Sequence, residues 1–258
     1  MRWNGSVIGR RHDNGRGLWS LLAQGVLRQS NDWPYPVNLP ITSNLIFWID
    51  PSNASSVTLN GTTVSSIRDL SSSPKTVNQT TAANQPEYIV NAKNGLNAMR
   101  HIAGIQQFLS ITSTAIPTSH TVFTVIRRPI AGIESHGIGG GTSQLFPFTW
   151  FTDNLLYTAS NGSLVSVGSA STATGWFYIT SRRNGTTQIR LRRNGTTVGD
   201  VTSGTAVTNA ASGNWTHIGY RGGVYNNSEV GEIIAYDTNL SDSDVDSVES
   251  YLATKWGI

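Results

Sequence analysis

Two carboxylates are the first candidates for chemistry in this sequence. Glu229 and Glu232 lie three residues apart in an apolar stretch. Glycoside hydrolysis needs two carboxylates facing one cleft, which on a strand requires alternate positions, as in Glu-x-Asp-x-Glu. No such run occurs, and the odd spacing predicts opposite strand faces. We therefore interpret both residues as ordinary solvated charges.

Other catalytic and metal-binding patterns are also missing. The histidines, at positions 12, 101, 120, 136 and 217, have no compact ligand spacing, and the chain has no cysteine. There is no Gly-x-Ser-x-Gly elbow, and the glycines near 140 lack the lysine of a phosphate loop. Residues 132–141, which include His136, are predicted to form the most flexible loop of the chain. We predict that the protein is not an enzyme.

Calcium is the one metal for which the sequence offers candidate donors. Asp50 with Asn53, and Asp153 with Asn154, could supply hard oxygen ligands. Asx turns explain both pairs without a metal. We predict no cofactor, with calcium as the alternative.

A binding face is a further candidate. Arg190 and Arg192 point the same way on a predicted strand, opposite Ile189. Such a basic stripe can bind an anionic glycan or a partner's carboxylates, and a merely solvated face is the alternative. Trp150 and Tyr157 can stack on sugar rings, although such aromatic residues more often belong to a core.

Residues 1–40 form a candidate anchoring arm, distinct from a domain over residues 41–258. The arm is interrupted by glycine and proline, and its net charge of +3 equals that of the whole chain. A basic arm favours an acidic protein surface or nucleic acid as partner, and arginines that only keep it soluble are the alternative. We predict protein partners and no nucleic acid. The candidate anchoring residues are Trp3, Arg10, Arg11, Trp19, Leu21 and Trp33.

The elements that position these residues are predicted to be short strands. Asn184-Gly185 and Asn194-Gly195 lie in two copies of Arg-Arg-Asn-Gly-Thr-Thr, and Asn-Gly favours the positive φ angles of a type I′ hairpin. They predict a meander with strands 176–183, 186–193 and 196–201. His120 to Arg128 is a further strand, with the side chains of residues 122, 124 and 126 on one face. About a dozen such strands indicate a two-sheet antiparallel sandwich.

The end of the chain changes from strand to helix. Ser241 is a candidate N-cap, followed by acidic residues in the first turn. Val245, Val248 and Leu252 then form one apolar stripe. The pattern predicts one short helix, from Asp242 to about Thr254, that packs on the sandwich.

Composition agrees with this architecture. The 258 residues include 26 glycines, and charged residues make up 13%, against a usual share of about 25%. Low charge is common in proteins of larger assemblies. No apolar run approaches the length of a membrane span, and no secretory signal begins the chain. We expect no membrane partner.

The closing segment carries a family resemblance. Residues 229–258, EVGEIIAYDTNLSDSDVDSVESYLATKWGI, resemble the last strand and helix of laminin-G-like jelly rolls of the concanavalin A-like lectin/glucanase superfamily, as found in tailed-phage and bacterial proteins. Residues 44–50 and 94–111 resemble its opening strands, and 176–201 its central meander. The resemblance implies an all-β jelly-roll sandwich over residues 41–258, with an N-terminal extended arm and a C-terminal helix.

The arm has a narrower resemblance. Residues 17–21 with Gln24, followed by Trp33-Pro34, are similar to a lead-in segment of virion structural proteins of tailed phages. This implies a non-enzymatic virion protein, made in the host cytoplasm and placed on the outer surface of capsid or tail. We expect a homo-oligomeric capsid decoration or cement protein anchored by the arm to other virion proteins. The alternative is a tail or fibre adhesin that binds host polysaccharide.

Overall fold

A computed structural model describes residues 38–141, 146–160, 163–166, 171–208 and 213–258. The candidate anchoring residues Trp3, Arg10, Arg11, Trp19, Leu21 and Trp33 lie outside the described residues. The anchoring arm therefore stays a prediction.

Strands are the main secondary structure of the described chain. They are β1 (Leu45–Ile49), β2 (Val57–Asn60), β3 (Thr63–Ile67), β4 (Val77–Asn78), β5 (Glu87–Lys93), β6 (Leu96–His101), β7 (Leu109–Ala115), β8 (His120–Arg128), β9 (Ile138–Gly139), β10 (Phe146–Trp150), β11 (Leu156–Ser160), β12 (Ser163–Ser166), β13 (Gly175–Asn184), β14 (Gln188–Arg193), β15 (Thr196–Val201), β16 (Asn214–Ile218), β17 (Tyr220–Arg221), β18 (Val224–Tyr225) and β19 (Ser228–Tyr236). The helices are α1 (Thr205–Thr208) and α2 (Asp242–Trp256).

The strands form two layers. The back layer has the order β15-β14-β13-β8-β19-β6-β5, with β1 also paired to β19, and the front layer has the order β2-β3-β4-β7-β16-β9. The pairings are antiparallel, and the layers join at the pairing of Thr63 with Glu87. The predicted all-β, two-sheet jelly-roll sandwich with a C-terminal helix is confirmed.

The main core lies between the layers. Its back-layer side chains include Phe47, Met99, Val122 and Ile233, and its front-layer side chains include Val77, Leu109, Ile111, Trp215 and Ile218. A second core lies between the back layer and a separate sheet of β10, β11 and β12. Alternation along each strand separates these cores from the outer face of the back layer.

β8 is buried on both faces because α2 covers its outer face. Val122 and Ile126 point into the cores between sheets, whereas Phe123 and Val125 pack against α2. The face assignment predicted from the alternating pattern is confirmed. A strand covered on both sides carries apolar residues at successive positions.

α2 has the predicted beginning and the predicted apolar stripe. The Ser241 hydroxyl accepts a hydrogen bond from the Asp244 amide and caps the helix. Val245, Val248 and Leu252 are fully buried against the back layer. The helix ends at Trp256, where Gly257 takes a left-handed conformation.

The meander is confirmed, but its two turns differ. Asn194 and Gly195 have φ of 48° and 77°, as a type I′ turn requires. At the other turn Gly185 has a positive φ and Asn184 does not, and the Thr187 amide donates to the Asn184 carbonyl. The first loop is therefore one residue longer, and β14 begins at Gln188 rather than at residue 186.

The prediction of a flexible loop over the glycine-rich residues 132–141 is wrong. Its centre forms β9, which pairs with β16 in the front layer, and His136 and Ile138 are buried. A Cβ at Gly137 would lie 2.7 Å from the Thr124 methyl carbon, and one at Gly139 would lie 2.9 Å from the Arg221 Cβ. The glycines here permit close packing.

Candidate functional site

The acidic pair of β19 does not lie on opposite strand faces, contrary to the sequence prediction. A β-bulge places Gly231 and Glu232 together opposite Val125, and this extra residue returns Glu232 to the face of Glu229. Glu229 bonds to Arg127 at 2.8 Å, and Glu232 points at α2. Both carboxylates are buried, with 5% and 0% exposure, so the interpretation as solvated charges is wrong.

The Glu232 carboxylate is the centre of a buried polar network. One oxygen accepts from Trp48 Nε1 and the Tyr251 hydroxyl, both at 2.9 Å. The other accepts from Lys255 Nζ at 2.8 Å and Trp256 Nε1 at 2.9 Å. Four converging donors leave this carboxylate no access to a substrate, so it stabilises the packing of α2 on the back layer.

Lys255 is held in this network by a second carboxylate. Its ammonium lies 2.6 Å from Asp50 Oδ2, and the residue is buried. Burial lowers the pKa of Lys255, but the charges of Glu232 and Asp50 outweigh it and place the pKa well above its ordinary value. The lysine therefore stays charged at neutral pH.

The two candidate calcium pairs have protein donors on their oxygens. Asp50 Oδ1 accepts from the Ser52 amide and hydroxyl, as in an Asx turn. Asp153 accepts from the Leu155 amide and the Tyr157 hydroxyl. Within the described residues, no group of three or more acidic or histidine side chains is arranged to hold a metal.

The arginine stripe of β14 faces α2 rather than open solvent. Arg190 lies 2.9 Å from Asp200, and Arg192 lies 2.8 Å from Asp246 and 2.9 Å from Glu249. The predicted common direction of the two arginines is therefore correct. Their charges are paired within the chain, chiefly with acids of α2.

The aromatic residues proposed beside this stripe lie elsewhere. Trp150 is 1% exposed, in the core beneath β10, and its ring cannot reach a sugar in solvent. Tyr157 is partly exposed, packs edge-on against Phe151 at 4.7 Å and donates to Asp153 at 2.8 Å. The structure does not bring these residues and the arginines to one surface.

A different group of aromatic rings lies together at the surface. We call this group, Phe108, His217, Tyr220 and Tyr225, the aromatic platform; each member is partly exposed. His217 and Tyr220 have ring centroids 4.8 Å apart, Tyr220 and Tyr225 are 4.9 Å apart, and Phe108 is 5.4 Å from His217. Partly exposed rings in mutual contact form a continuous apolar surface.

The platform is positioned by the end of β16 and the hairpin that follows. Trp215 and Ile218 of β16 lie in the main core, and a register shift against β7 begins after Trp215. Gly219 then has φ of +80°, and a Cβ there would overlap the His101 ring. The hairpin turns at Gly222-Gly223, which pairs Tyr220 directly with Tyr225.

The hairpin is anchored from below by buried polar groups. The Asn226 amide donates to the Gly219 carbonyl at 2.9 Å, and its side chain accepts from the His136 amide at 3.2 Å. The Asn227 side chain accepts from the Ala103 amide in the turn before Phe108. The two segments that supply the platform are thus bonded to one another.

Two buried histidines lie under this region. Neither His101 nor His136 has a hydrogen-bond partner on its ring nitrogens among the described residues. Burial lowers the pKa of His101 to about 3. Burial, with the charge of Arg221 and the nearby His101, places the pKa of His136 well below its ordinary value. Both rings are neutral at pH 7.

The platform's hydroxyl groups are available to a ligand. No described residue forms a hydrogen bond with the hydroxyl of Tyr220 or Tyr225. The His217 ring is bonded through Nδ1 to the Thr216 hydroxyl at 2.8 Å, and no described residue bonds to its Nε2. Stacking surfaces thus lie beside groups able to donate and accept hydrogen bonds.

Sequence reasoning missed the platform, although one local signal was present. Tyr-Arg-Gly-Gly-Val-Tyr, residues 220–225, has a tight-turn dipeptide with a tyrosine at each end. Phe108 lies more than 100 residues earlier in the chain. Its contact with the hairpin depends on the pairing of β7 with β16.

Comparison with known proteins gives structural but no sequence relatives. No family model matches this sequence, and no match to a curated protein was found. Among solved structures, the binding domain of botulinum neurotoxin type C aligns with a TM-score of 0.59 and 11% identity over 82% of this chain and 52% of that one. The binding domain of Paraclostridial Mosquitocidal Protein 1 aligns with a TM-score of 0.55 and 12% identity, again over 82% and 52%.

A third structure matches along nearly its whole length. It is domain 4 of AbnA, a GH43 extracellular arabinanase from Geobacillus stearothermophilus, in complex with arabinotriose, with a TM-score of 0.54 and 13% identity over 80% of this chain and 98% of that one. This chain spans about half the length of the two toxin binding domains. These likenesses support the β-sandwich fold, and the virion part of the resemblance stays a prediction. No helix among the described residues has the length and apolarity needed to cross a membrane.

Proposed function

We propose that this protein is a non-enzymatic carbohydrate-binding module whose ligand lies on the aromatic platform. The observation that carries the proposal is the cluster of partly exposed rings, with tyrosine hydroxyls to which no described residue bonds. A cluster of contacting rings at a surface is typical of a binding site, because isolated exposed apolar residues need no explanation but grouped ones do.

The chemistry of sugars fits such a surface. The face of an aromatic ring carries partial negative charge, which attracts the weakly positive C–H groups of a sugar ring. The hydroxyls of Tyr220 and Tyr225 and the free nitrogen of His217 can bond to sugar hydroxyls at the rim. Stacking supplies affinity and the polar groups fix orientation.

Two of the similar structures support this proposal, because both are described as interacting with carbohydrate-containing molecules. The arabinanase domain was solved in complex with arabinotriose. The type C neurotoxin is described as dependent on two ganglioside molecules for entering cells. The acids of β19 support the non-enzymatic part, since Glu232 is enclosed by protein donors and Glu229 is paired with arginines.

Removal of a platform ring is expected to weaken glycan binding. Tyr220→Ala and Phe108→Ala each delete a ring in contact with two or more others, and loss of such a ring costs about 1.4 kcal/mol or more, a drop in affinity of about 10-fold. A glycan array identifies the ligand, and calorimetry measures the change.

Tyr157→Ala is the matched control. Tyr157 is also a partly exposed tyrosine, but it lies on β11 and bonds to Asp153. It should bind the ligand as the wild type does, and all variants should retain the wild-type circular dichroism spectrum. Loss of binding in Tyr157→Ala alone would place the ligand on the surface predicted from sequence. A folded protein that binds no glycan contradicts the proposal.

A virion structural protein is the second candidate. We propose that the module is borne by a tailed-phage particle, as a homo-oligomeric capsid decoration protein or a tail adhesin, on its outer surface. What supports this is the basic, tryptophan-bearing segment 1–40 and its resemblance to virion lead-in segments. Glycan binding and particle attachment are compatible, since they use different parts of the chain.

Alanine at Trp19 and Trp33 is expected to release the protein from particles. These residues supply large apolar groups to the proposed contact, and such anchors commonly contribute 2 kcal/mol or more, roughly 30-fold in affinity. Quantitative mass spectrometry of purified particles measures occupancy. Tyr220→Ala, which leaves the arm intact, should stay fully attached. Unchanged occupancy of the tryptophan variants would show that the arm does not anchor the protein.

A further inference from the structure

We infer that the ligand of the aromatic platform is an uncharged oligosaccharide, an inference that rests on the carbohydrate-binding function proposed above. Three lines of observation carry it: the sequence around the platform, the state of the neighbouring arginines, and the donors and acceptors present.

Three segments around the platform contain no charged residues. Residues 76–86, 101–126 and 201–220 contain no aspartate, glutamate, lysine or arginine. They supply β4, β7 and β16, the neighbouring strands of the front layer, together with Phe108 and His217. In a chain with 13% charged residues, the charges are concentrated elsewhere.

The arginine nearest in sequence is directed away and neutralised. Arg221 follows Tyr220, but its side chain is 6% exposed and lies 2.5 Å from Glu134. Its guanidinium also covers the rings of Phe146 and Phe151, at 4.7 Å and 4.6 Å. A ligand on the platform therefore cannot reach a free cation through Arg221.

Arg100, which precedes the buried His101 beneath the platform, is also paired with acidic side chains. It bonds to Glu87 at 3.1 Å and to Glu229 at 3.2 Å. Alternation along β6 places its side chain on the face opposite His101. Arg100 is thus on the outer side of the back layer, away from the platform.

Desolvation makes this charge distribution decisive for the ligand. A sialic or uronic acid loses hydration of its carboxylate on binding, which is unfavourable unless a cation or several N–H donors replace the water. The platform offers apolar ring faces, phenol hydroxyls and one imidazole that is neutral at pH 7, since burial lowers the pKa of His217. These groups suit the hydroxyls and C–H faces of a neutral sugar.

Calorimetry with matched sugars tests the inference. The probes are arabinotriose, cellotriose, lactose and 3′-sialyllactose. The last two differ only in the sialic acid. We expect binding to at least one neutral glycan, no gain of affinity from the sialic acid, and a change of less than about 2-fold between about 50 mM and about 500 mM salt. Tyr220→Ala should weaken the same binding by about 10-fold.

The outcomes separate the two proposals. Binding only to sialylated or uronic-acid glycans on a broader array, with affinity that falls as salt rises, would overturn the neutral ligand and leave a carbohydrate-binding function standing. Binding to neutral glycans with the same affinity in Tyr220→Ala as in the wild type would also overturn it, because the ligand would lie elsewhere. If no glycan binds, both proposals fail.

Discussion

Lowering the pH from 7 to 5 is expected to destabilise the sandwich by about 4 kcal/mol from two buried histidines alone. Burial lowers the pKa of His101 to about 3 and that of His120 to about 4, whereas an unfolded chain titrates near 6.5. Each imidazole therefore lowers the free energy of unfolding by about 1.4 kcal/mol for each pH unit below that value. A loss of this size approaches the total stability of many domains.

The direction follows from proton binding. Below pH 6.5 the unfolded chain binds protons that the folded chain cannot, so stability is fully present above that pH and is lost as the pH falls toward about 4. His136 adds to the effect, because burial also lowers its pKa. Urea unfolding between pH 7 and pH 5, followed by tryptophan fluorescence, measures the free energy of unfolding at each pH.

His101→Leu is the informative variant for the acid effect. The ring nitrogens of His101 have no hydrogen-bond partner among the described residues, so an apolar side chain of similar size removes titration without breaking a bond. The slope of stability against pH should fall by about 1.4 kcal/mol per unit. His217→Gln, at a half-buried position, should change this slope less. A wild-type stability that is constant from pH 7 to pH 5 would contradict the prediction.

Glu232→Ala is expected to lower the free energy of unfolding by about 3 to 5 kcal/mol. The carboxylate is fully buried and accepts hydrogen bonds from Trp48, Tyr251, Lys255 and Trp256. Its removal leaves two indole N–H groups and a phenol without this acceptor, and leaves the Lys255 ammonium with Asp50 as its acidic partner. Denaturant unfolding at pH 7 measures the loss.

Glu87→Ala is the matched control for Glu232. Glu87 also pairs with a cation, Arg100, but 35% of its side chain is exposed, and such surface pairs contribute about 1 kcal/mol or less. A loss below about 1 kcal/mol for Glu232→Ala would show that the network does not stabilise the helix contact.

The buried network also explains why an acidic residue occupies the centre of an apolar strand. Glu232 lies between Gly231 and Ile233, and the rings of Trp48 and Trp256 donate to its oxygens. A Cβ at Gly231 would lie 2.6 Å from the Trp256 ring. The glycine thus admits the indole, and the carboxylate satisfies its N–H group. Polar satisfaction of this kind favours one placement of α2 over alternatives.

Local rules account for what could be predicted of the fold. Alternation in HTVFTVIRR assigned the two faces of β8, because side chains alternate across a strand. Ser241 and the stripe of Val245, Val248 and Leu252 defined α2, since capping and helical period act within a few residues. The Asn194-Gly195 turn followed from the φ preference of its residues.

Local rules also failed where a choice depended on distant neighbours. The bulge at Gly231 reverses the face of Glu232, and period-2 reasoning cannot detect an inserted residue. The prediction of a common face for Arg190 and Arg192 is correct, but the acids that neutralise Arg192 come from α2, about 50 residues later. The same limit applies to His136, which is buried and bonded through its backbone to Asn226, about 90 residues later, rather than exposed in a loop.

The sequence by itself therefore determined the sandwich architecture and the closing helix, because strand alternation, turn chemistry and helix capping are short-range properties. Only the tertiary structure decided which side chains became a surface. Phe108 meets Tyr220 and Tyr225 because β7 pairs with β16, and no local pattern specifies a contact between segments so far apart in the chain. The candidate site is a product of that long-range pairing.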